Sequence, residues 1–163
     1  MHLEKGMTVA DFGTGSGAYA LALARAVGAE GKVYALDVQK DLLAKFRTQA
    51  HQAGVRNIEV MWVDLDALRG AKLGDHSVDA IVVANVLFQS EHKENFLREA
   101  HRILRPGGEL LLIDWSDSFS GMGPYPGHVM KEGAAKELLG RAGFTHKTSF
   151  FAGSHHYGLL YTR

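Results

Sequence analysis

The sequence predicts an α/β protein: a three-layer α/β/α sandwich around a seven-stranded sheet, mostly parallel, with an antiparallel last strand. Three observations carry that expectation. Short apolar runs with strand character alternate with helical stretches along most of the chain. Such alternation builds parallel sheets with helices on both faces. The run Val78–Ala84 is almost continuously apolar, as a strand covered on both sides should be. The last two strand-like stretches are joined at Gly153-Ser154 with no room for a crossover helix, so they must pair antiparallel.

Taken in order, Met7–Phe12 reads as a short buried strand that runs into a glycine-rich turn. Ala18–Val27 is rich in Ala and Leu and stops near Gly28, which reads as a helix. Lys32–Val38 is the second strand and Asp41–Ala53 the second helix, closed by Gly54. Ile58–Val63 gives the third strand, ending at Asp64, and Val78–Ala84 the fourth. Glu91–Leu104 is a helix with Phe96, Leu97, Ala100, Ile103 and Leu104 on one face. Arg105-Pro106-Gly107-Gly108 breaks it, and Glu109–Ile113 is the fifth strand. Residues 116–130, rich in Ser, Gly and Pro, read as a long loop. Lys131–Ala142 is a helix stopped at Gly143, and Lys147–Ala152 and His156–Tyr161 close the chain as strands. No internal repeat or linker interrupts residues 1–163, so a single domain is expected.

Composition narrows the function classes. With 46% hydrophobic residues among 163, the chain can build a substantial core. Eighteen basic and eighteen acidic side chains cancel. Proteins that bind nucleic acid usually carry a basic excess that neutralises phosphates, so nucleic acid is not the expected partner. There is no cysteine, which removes disulfides, thiolate nucleophiles and thiolate metal sites. The start, Met1-His2-Leu3-Glu4-Lys5-Gly6, lacks the basic and apolar regions of a secretory signal. No apolar run approaches the ~20 residues that span a bilayer, so a cytoplasmic protein without membrane association is expected. His155 and His156 would alternate faces on a strand and make poor joint ligands, and no metal site is expected.

The segment richest in chemistry is Asp11-Phe12-Gly13-Thr14-Gly15-Ser16-Gly17-Ala18, between the first strand and the first helix. Closely spaced glycines let the backbone turn sharply and let a ligand lie against bare main chain. The helix start behind them offers free N–H groups and a positive dipole end. Alone, the loop is ambiguous. Gly13-x-Gly15-x-x-Ala18 with Asp37 further on satisfies a dinucleotide-binding fingerprint, and the same residues also describe a tight strand-to-helix turn.

Context adds a resemblance. Asp11-x-Gly13-x-Gly15-x-Gly17, acid included, resembles the first motif of class I S-adenosylmethionine-dependent methyltransferases. The likeness continues in register through Leu36-Asp37-Val38, Val63-Asp64-Leu65, Val78-Asp79-Ala80-Ile81-Val82-Val83-Ala84-Asn85 and Leu104-Arg105-Pro106-Gly107-Gly108-Glu109-Leu110. It spans about Thr8 to Asp114 and looks closest to the methyltransferase type 11 group, which includes ubiquinone/menaquinone-biosynthesis and other small-molecule enzymes.

The resemblance implies a Rossmann-like methyltransferase fold with S-adenosylmethionine as cofactor and S-adenosylhomocysteine as product. It further implies that Gly13, Thr14, Gly15 and Gly17 support the methionine and ribose, with Asp11 beside them. Asp37 would accept from both ribose hydroxyls and Val38 would pack on the adenine. Asp64 would accept from the adenine amino group, the Leu65 N–H would reach a ring nitrogen, and Asn85 would lie near the transferring methyl. Asp66 and Asp79 read as solvated turn acids.

For the acceptor, Asp114, Trp115, Tyr125 and His128 are placed in the loop after the fifth strand, where this family often builds part of its pocket. His128 is the one candidate general base, and no catalytic residue is assigned. A small-molecule acceptor is expected: arsenite methylation relies on cysteines, and the Asn-Pro-Pro-Tyr type motif of amino-directed DNA enzymes is missing after Asn85. Only about six residues precede the first strand, where relatives commonly carry a helical segment. A truncated chain, a lid from a second copy in a homo-oligomer, or an unusually open site would each fit. Two other classes stay open. A nicotinamide-dependent oxidoreductase explains the glycine loop and Asp37 but not Asp64, and a module that binds the cofactor without transferring a methyl group keeps the same motifs.

Overall fold

The computed structural model describes residues 1–119, 121 and 123–163. Its strands are β1 (Thr8–Phe12), β2 (Lys32–Asp37), β3 (Ile58–Trp62), β4 (Val78–Ala84), β5 (Leu104–Trp115), β6 (Thr145–Phe151) and β7 (His156–Thr162). The helices are α1 (Ala18–Val27), α2 (Lys40–Gln52), α3 (Lys93–Ile103) and α4 (Glu132–Arg141). Single 3₁₀ turns occupy Leu87–Gln89 and Pro126–His128. The strands form one sheet in the order β3-β2-β1-β4-β5-β7-β6. All neighbours are parallel except β7, which runs antiparallel to both β5 and β6. The expected seven strands, with only the last reversed, are therefore observed.

Each sheet face buries its own cluster. Ala10, Phe12, Leu36, Ile81 and Val83 pack with Phe96, Leu97 and Ile103 of α3 and Leu139 of α4. On the opposite face Val9, Val33, Ala35, Ala80 and Val82 pack with Leu23 and Val27 of α1 and Phe46 of α2. The central strands β1 and β4 supply residues to both clusters, the reason Val78–Ala84 reads as one apolar run. No helix among the described residues is long and apolar enough to cross a membrane.

Most boundaries fall within one or two residues of the sequence expectation. β5 runs on to Trp115, so Asp114 and Trp115 are strand residues and not part of the loop after it. Two further shifts have a visible cause. β5 begins at Leu104, five residues before Glu109, because Leu104 pairs with Val78 before a register shift carries the ladder to Ala80 and Glu109. The Arg-Pro-Gly-Gly stretch is thus an irregularity inside a strand. α3 begins at Lys93, not Glu91, since the Glu91 and His92 N–H groups are taken by a side chain from another loop. The expected loop 116–130 is observed with one 3₁₀ turn; Ser120 and Met122 lie outside the described residues.

The β3–β4 connection contains no helix, so side chains fix it. Buried Glu99 of α3 accepts from the Ala71 N–H at 3.0 Å and pairs with Arg102 at 2.6 Å. Arg102 in turn holds Asp75 at 2.5 Å and the Leu73 carbonyl at 2.9 Å. A buried carboxylate bonded this fully is a brace for the loop that leaves β3. Asp79 also braces: it accepts from the Thr8 N–H at 2.7 Å and pairs with Arg105, so it is not a solvated turn acid. Its carboxylate satisfies the first donor of β1.

Candidate active site

At the end of β1 the chain turns over the tip of β2, where the Gly13 and Thr14 N–H groups both donate to the Leu36 carbonyl at 2.8 and 3.0 Å. The main chain at Gly13 lies so near the turn after β4 that a Cβ there would sit 2.4 Å from a Val86 methyl. Gly17 has φ 81° and caps α1 through its backbone, and a Cβ would lie 2.0 Å from the Phe46 ring. Its place in the motif is therefore dictated by packing against α2, and it does not line the cavity described next.

A cavity of about 510 Å³ opens above the carboxyl ends of β3, β2, β1 and β4, where ligands of open α/β sheets bind. One wall is Gly13, Thr14, Gly15 and the first turn of α1, including Tyr19. Asp37, Val38 and Gln39 continue it; Asp64, Leu65 and Asp66 form the second side; Asn85, Val86, Gln89 and Ser90 form the third.

Asp37 is 6% exposed. Its Oδ2 accepts from the Gly15 N–H at 2.8 Å and its Oδ1 from the Gln39 N–H at 2.8 Å. Each oxygen retains a lone pair, so the carboxylate is fixed and still able to accept two further donors. Asp11 lies beneath the loop, 2% exposed, accepting from the Thr14 hydroxyl at 2.6 Å. Burial pushes its carboxyl up to about 6, opposed by the Thr14 and Ala20 hydrogen bonds and reinforced by the nearby Asp37 charge. Asp11 does not line the cavity; it reaches it only through Thr14.

Val38 is 57% exposed over the cavity edge, and its carbonyl accepts from the Trp62 indole N–H at 2.9 Å. Lys40 sits 3.9 Å above the Trp62 ring, a cation–π contact that fixes this shelf. Asp64 is exposed and accepts from the Asp66 N–H at 3.0 Å. Asn85 has φ 56°, an uncommon conformation that Asn tolerates better than most residues. Its N–H donates to the Ile113 carbonyl and its carbonyl accepts from Gln89 Nε2. Its Oδ1 is buried with no partner among the described residues. A buried acceptor without a donor in the wall of a cavity is a place where a ligand N–H or O–H fits.

The four acceptor-side candidates are placed outside this cavity. Asp114 is fully buried, accepting from the Phe88 N–H at 3.1 Å and the Trp115 N–H at 2.9 Å, and burial pushes its carboxyl up to about 6. It braces the turn after β4 against the end of β5. Trp115 packs on the His156 ring at 4.2 Å. Tyr125 is 80% exposed and meets His128, also exposed, edge-on at 6.2 Å. His155 pairs with Asp117 at 2.8 Å, so the two adjacent histidines take different partners.

Sequence reasoning missed Tyr19, Gln89, Ser90 and Asp66 as cavity residues. Tyr19 was within reach, since it sits on the first turn of the helix that follows the glycine loop. Asp66 is not a solvated turn acid: its carboxylate bonds Ser90 and the backbone ahead of α3. Nothing local in the sequence signals that.

Comparison with known proteins agrees with this geometry. A family model described as a methyltransferase domain matches residues 3–154. An arsenite methyltransferase of Aquipseudomonas alcaligenes is 37% identical over 116 residues, 69% of this chain and 34% of that protein. A ubiquinone/menaquinone biosynthesis C-methyltransferase, UbiE of Escherichia fergusonii, is 32% identical over 115 residues, 70% of this chain and 45% of that protein. The chain thus spans between a third and a half of the length of these relatives. The crystal structure of an S-adenosylmethionine-dependent methyltransferase from Aquifex aeolicus superposes with a TM-score of 0.89 at 32% identity, covering 98% of this chain and 84% of that one. With a family match over nearly its whole length and the motif loops gathered at one end of a seven-stranded sheet, the chain belongs to the class I S-adenosylmethionine-dependent methyltransferases.

Proposed function

We propose that this protein transfers a methyl group from S-adenosylmethionine to a small-molecule acceptor, with the cofactor held in the cavity above β3, β2, β1 and β4. The observation that carries the reading is Asp37: a carboxylate held by two backbone N–H groups at 2.8 Å, facing a cavity floored by glycine, with one lone pair left on each oxygen. That donor-seeking pair suits a vicinal diol. The unpartnered Asn85 Oδ1 suits a second donor on the same ligand.

S-adenosylmethionine supplies, when bound, a methyl group activated on a sulfonium for in-line displacement. In this reading Asp37 accepts the ribose hydroxyls, Val38 covers one adenine face, and Asp64 with the Leu65 N–H reads the adenine edge. Gly13, Thr14 and Gly15 bring bare backbone against the methionine half, and Asn85 accepts a hydrogen bond near the reacting methyl. Asp11 places a carboxylate behind Thr14 that favours a cationic ligand once ionised. Positioning alone can account for ~7–11 kcal/mol of barrier lowering in well-aligned systems. An acceptor that binds already ionised then needs no dedicated base, whereas a neutral one must give its proton to a base.

For the acceptor, the relatives are named an arsenite methyltransferase and a ubiquinone/menaquinone biosynthesis C-methyltransferase. None of the 163 residues is cysteine, so this chain offers arsenite no thiolate. That favours a carbon, oxygen or nitrogen atom of an organic small molecule. Calorimetric titration of the wild type and Asp37→Ala with S-adenosylmethionine, S-adenosylhomocysteine and NAD tests the reading. The first two should bind and NAD should not. Asp37→Ala should weaken them by more than ~1.4 kcal/mol, a factor of ten. Unchanged affinity in the variant would move the ribose elsewhere, and NAD binding would return the site to the oxidoreductases.

A further inference from the structure

Two loops that line the cavity belong to different crossovers. Asp64, Leu65 and Asp66 follow β3, while Gln89 and Ser90 follow β4, and one side chain joins them. Asp66 Oδ1 accepts from the Ser90 hydroxyl at 2.5 Å. Its Oδ2 accepts from the Glu91 and His92 N–H groups at 2.9 and 3.2 Å, and the Asp66 carbonyl accepts from Asn95 Nδ2 at 3.1 Å. α3 has no side-chain cap of its own at His92, so an acid 26 residues earlier in the chain satisfies the donors ahead of its first turn. On the other side of the same turn, Gln89 Nε2 donates to the Asn85 carbonyl, and Lys93 Nζ holds the Phe88 and Ser90 carbonyls at 3.3 and 2.5 Å. Hydrogen bonds thus link Asp64 to Asp66 and Asp66 to Ser90, and Gln89, next to Ser90 in the chain, bonds back to Asn85.

We propose that Asp66 is a positioning residue of the cofactor site: its carboxylate sets the spacing between the loop carrying Asp64 and Leu65 and the turn carrying Gln89 and Asn85. The inference rests on the reading that this cavity holds S-adenosylmethionine. Asp66 need not touch the reacting atoms. By fixing the two loops it keeps the wall on the adenine side and the wall on the methyl side at one separation, so the ligand does not have to order them on binding.

The full chain is titrated calorimetrically with S-adenosylhomocysteine, well below the melting temperature of each variant. Asp66→Ala should weaken binding about tenfold. Asp66→Asn should stay within about threefold, because an amide can still accept from the Glu91 and His92 N–H groups and donate to the Ser90 hydroxyl. An Asn variant as weak as the Ala variant would assign the effect to lost charge and overturn the positioning role. Should Asp66→Ala fail to fold, Ser90→Ala, which removes a single bond, takes its place: a few-fold weakening supports the proposal and no change overturns it. Asp37→Ala separates the two readings. If it weakens binding while Asp66→Ala lowers only the melting temperature, Asp66 is a helix cap and nothing more. If neither variant changes affinity, the cofactor reading of the cavity falls along with the proposal.

Discussion

Asp11, next to last in β1, and Asp37, last in neighbouring β2, differ in surroundings, which gives them different work. Asp37 receives two backbone N–H groups at the cavity surface, whereas Asp11 is sealed below Thr14 and pushed up to about 6 by burial. In the unfolded chain its carboxyl would sit near 3.8. The fold therefore holds that proton more tightly, and the stability it contributes is full below about 3.8 and lost as pH rises through about 6. Asp114, raised to about 6 by burial as well, works in the same direction. A cationic ligand bound beside Thr14 would favour the Asp11 carboxylate and lower its pKa again. Binding of S-adenosylmethionine should therefore tighten as pH rises towards about 6, level off above it, and release a fraction of a proton below about pH 6. S-adenosylhomocysteine, lacking the sulfonium, should release less. Calorimetry in two buffers of different ionisation enthalpy reads the proton directly. Asp11→Asn should flatten the profile, and an unchanged slope in that variant would place the titrating group elsewhere.

The β1–loop–α1 unit shows how packing between elements decides a residue that looks functional. Gly17 belongs to the glycine motif, yet its position is set by the Phe46 ring of α2 and by φ 81° at the start of α1. Gly17→Ala should destabilise the fold by about 2–4 kcal/mol, combining left-handed backbone strain with overpacking. Gly54, at φ 69° with nothing within 4 Å, is the control: Ala there meets the backbone strain alone. Thermal unfolding of both variants measures the difference, at roughly 2–4 °C per kcal/mol for a chain this size. Equal losses would mean that Phe46 yields without cost. Most of this unit was legible in the sequence, because the apolar run, the turn glycines and the Ala/Leu helix are local signals. α1 falls on Ala18–Val27 and β4 on Val78–Ala84, as expected. The early start of β5 was not legible: Leu104 reads as the end of a helical face, and only its pairing with Val78 makes it a strand residue. Asp66 escaped for the same reason, since its meaning lies in residues 24 to 26 positions away.

Across the whole molecule the sheet divides into a half that carries the cavity and a half that does not. Strand order reverses between β1 and β4, and the cavity opens over the four strands β3, β2, β1 and β4. The motifs that read as functional in the sequence, Gly13-x-Gly15, Asp37, Asp64 and Asn85, converge there because each ends one of those strands or begins within two residues of its end. β5, β7 and β6 extend the sheet away from it, and Asp114 and Trp115 of β5, with Tyr125 and His128 of the loop after it, are assigned to the acceptor side on resemblance alone, with no local signal of where they point. This division predicts a gradient of local stability. β1 and β4 each have two parallel neighbours and contribute fully buried residues to both clusters. β6 pairs only with β7, and all seven of its residues are exposed, Phe151 at 80%. Local opening follows such differences in burial and pairing, so amide hydrogen exchange should be slowest in β1 and β4 and fastest among the strands in β6. Saturation with S-adenosylhomocysteine should then raise protection at Gly13–Gly15, Leu65 and Asn85 while leaving β6 unchanged, because ligand contacts stabilise only the openings that break them. Protection of β6 equal to that of β4 in the free protein would show that its edge is covered in solution by something other than β7. A ligand-induced gain confined to β6 would move the binding site to the half of the sheet without the cavity.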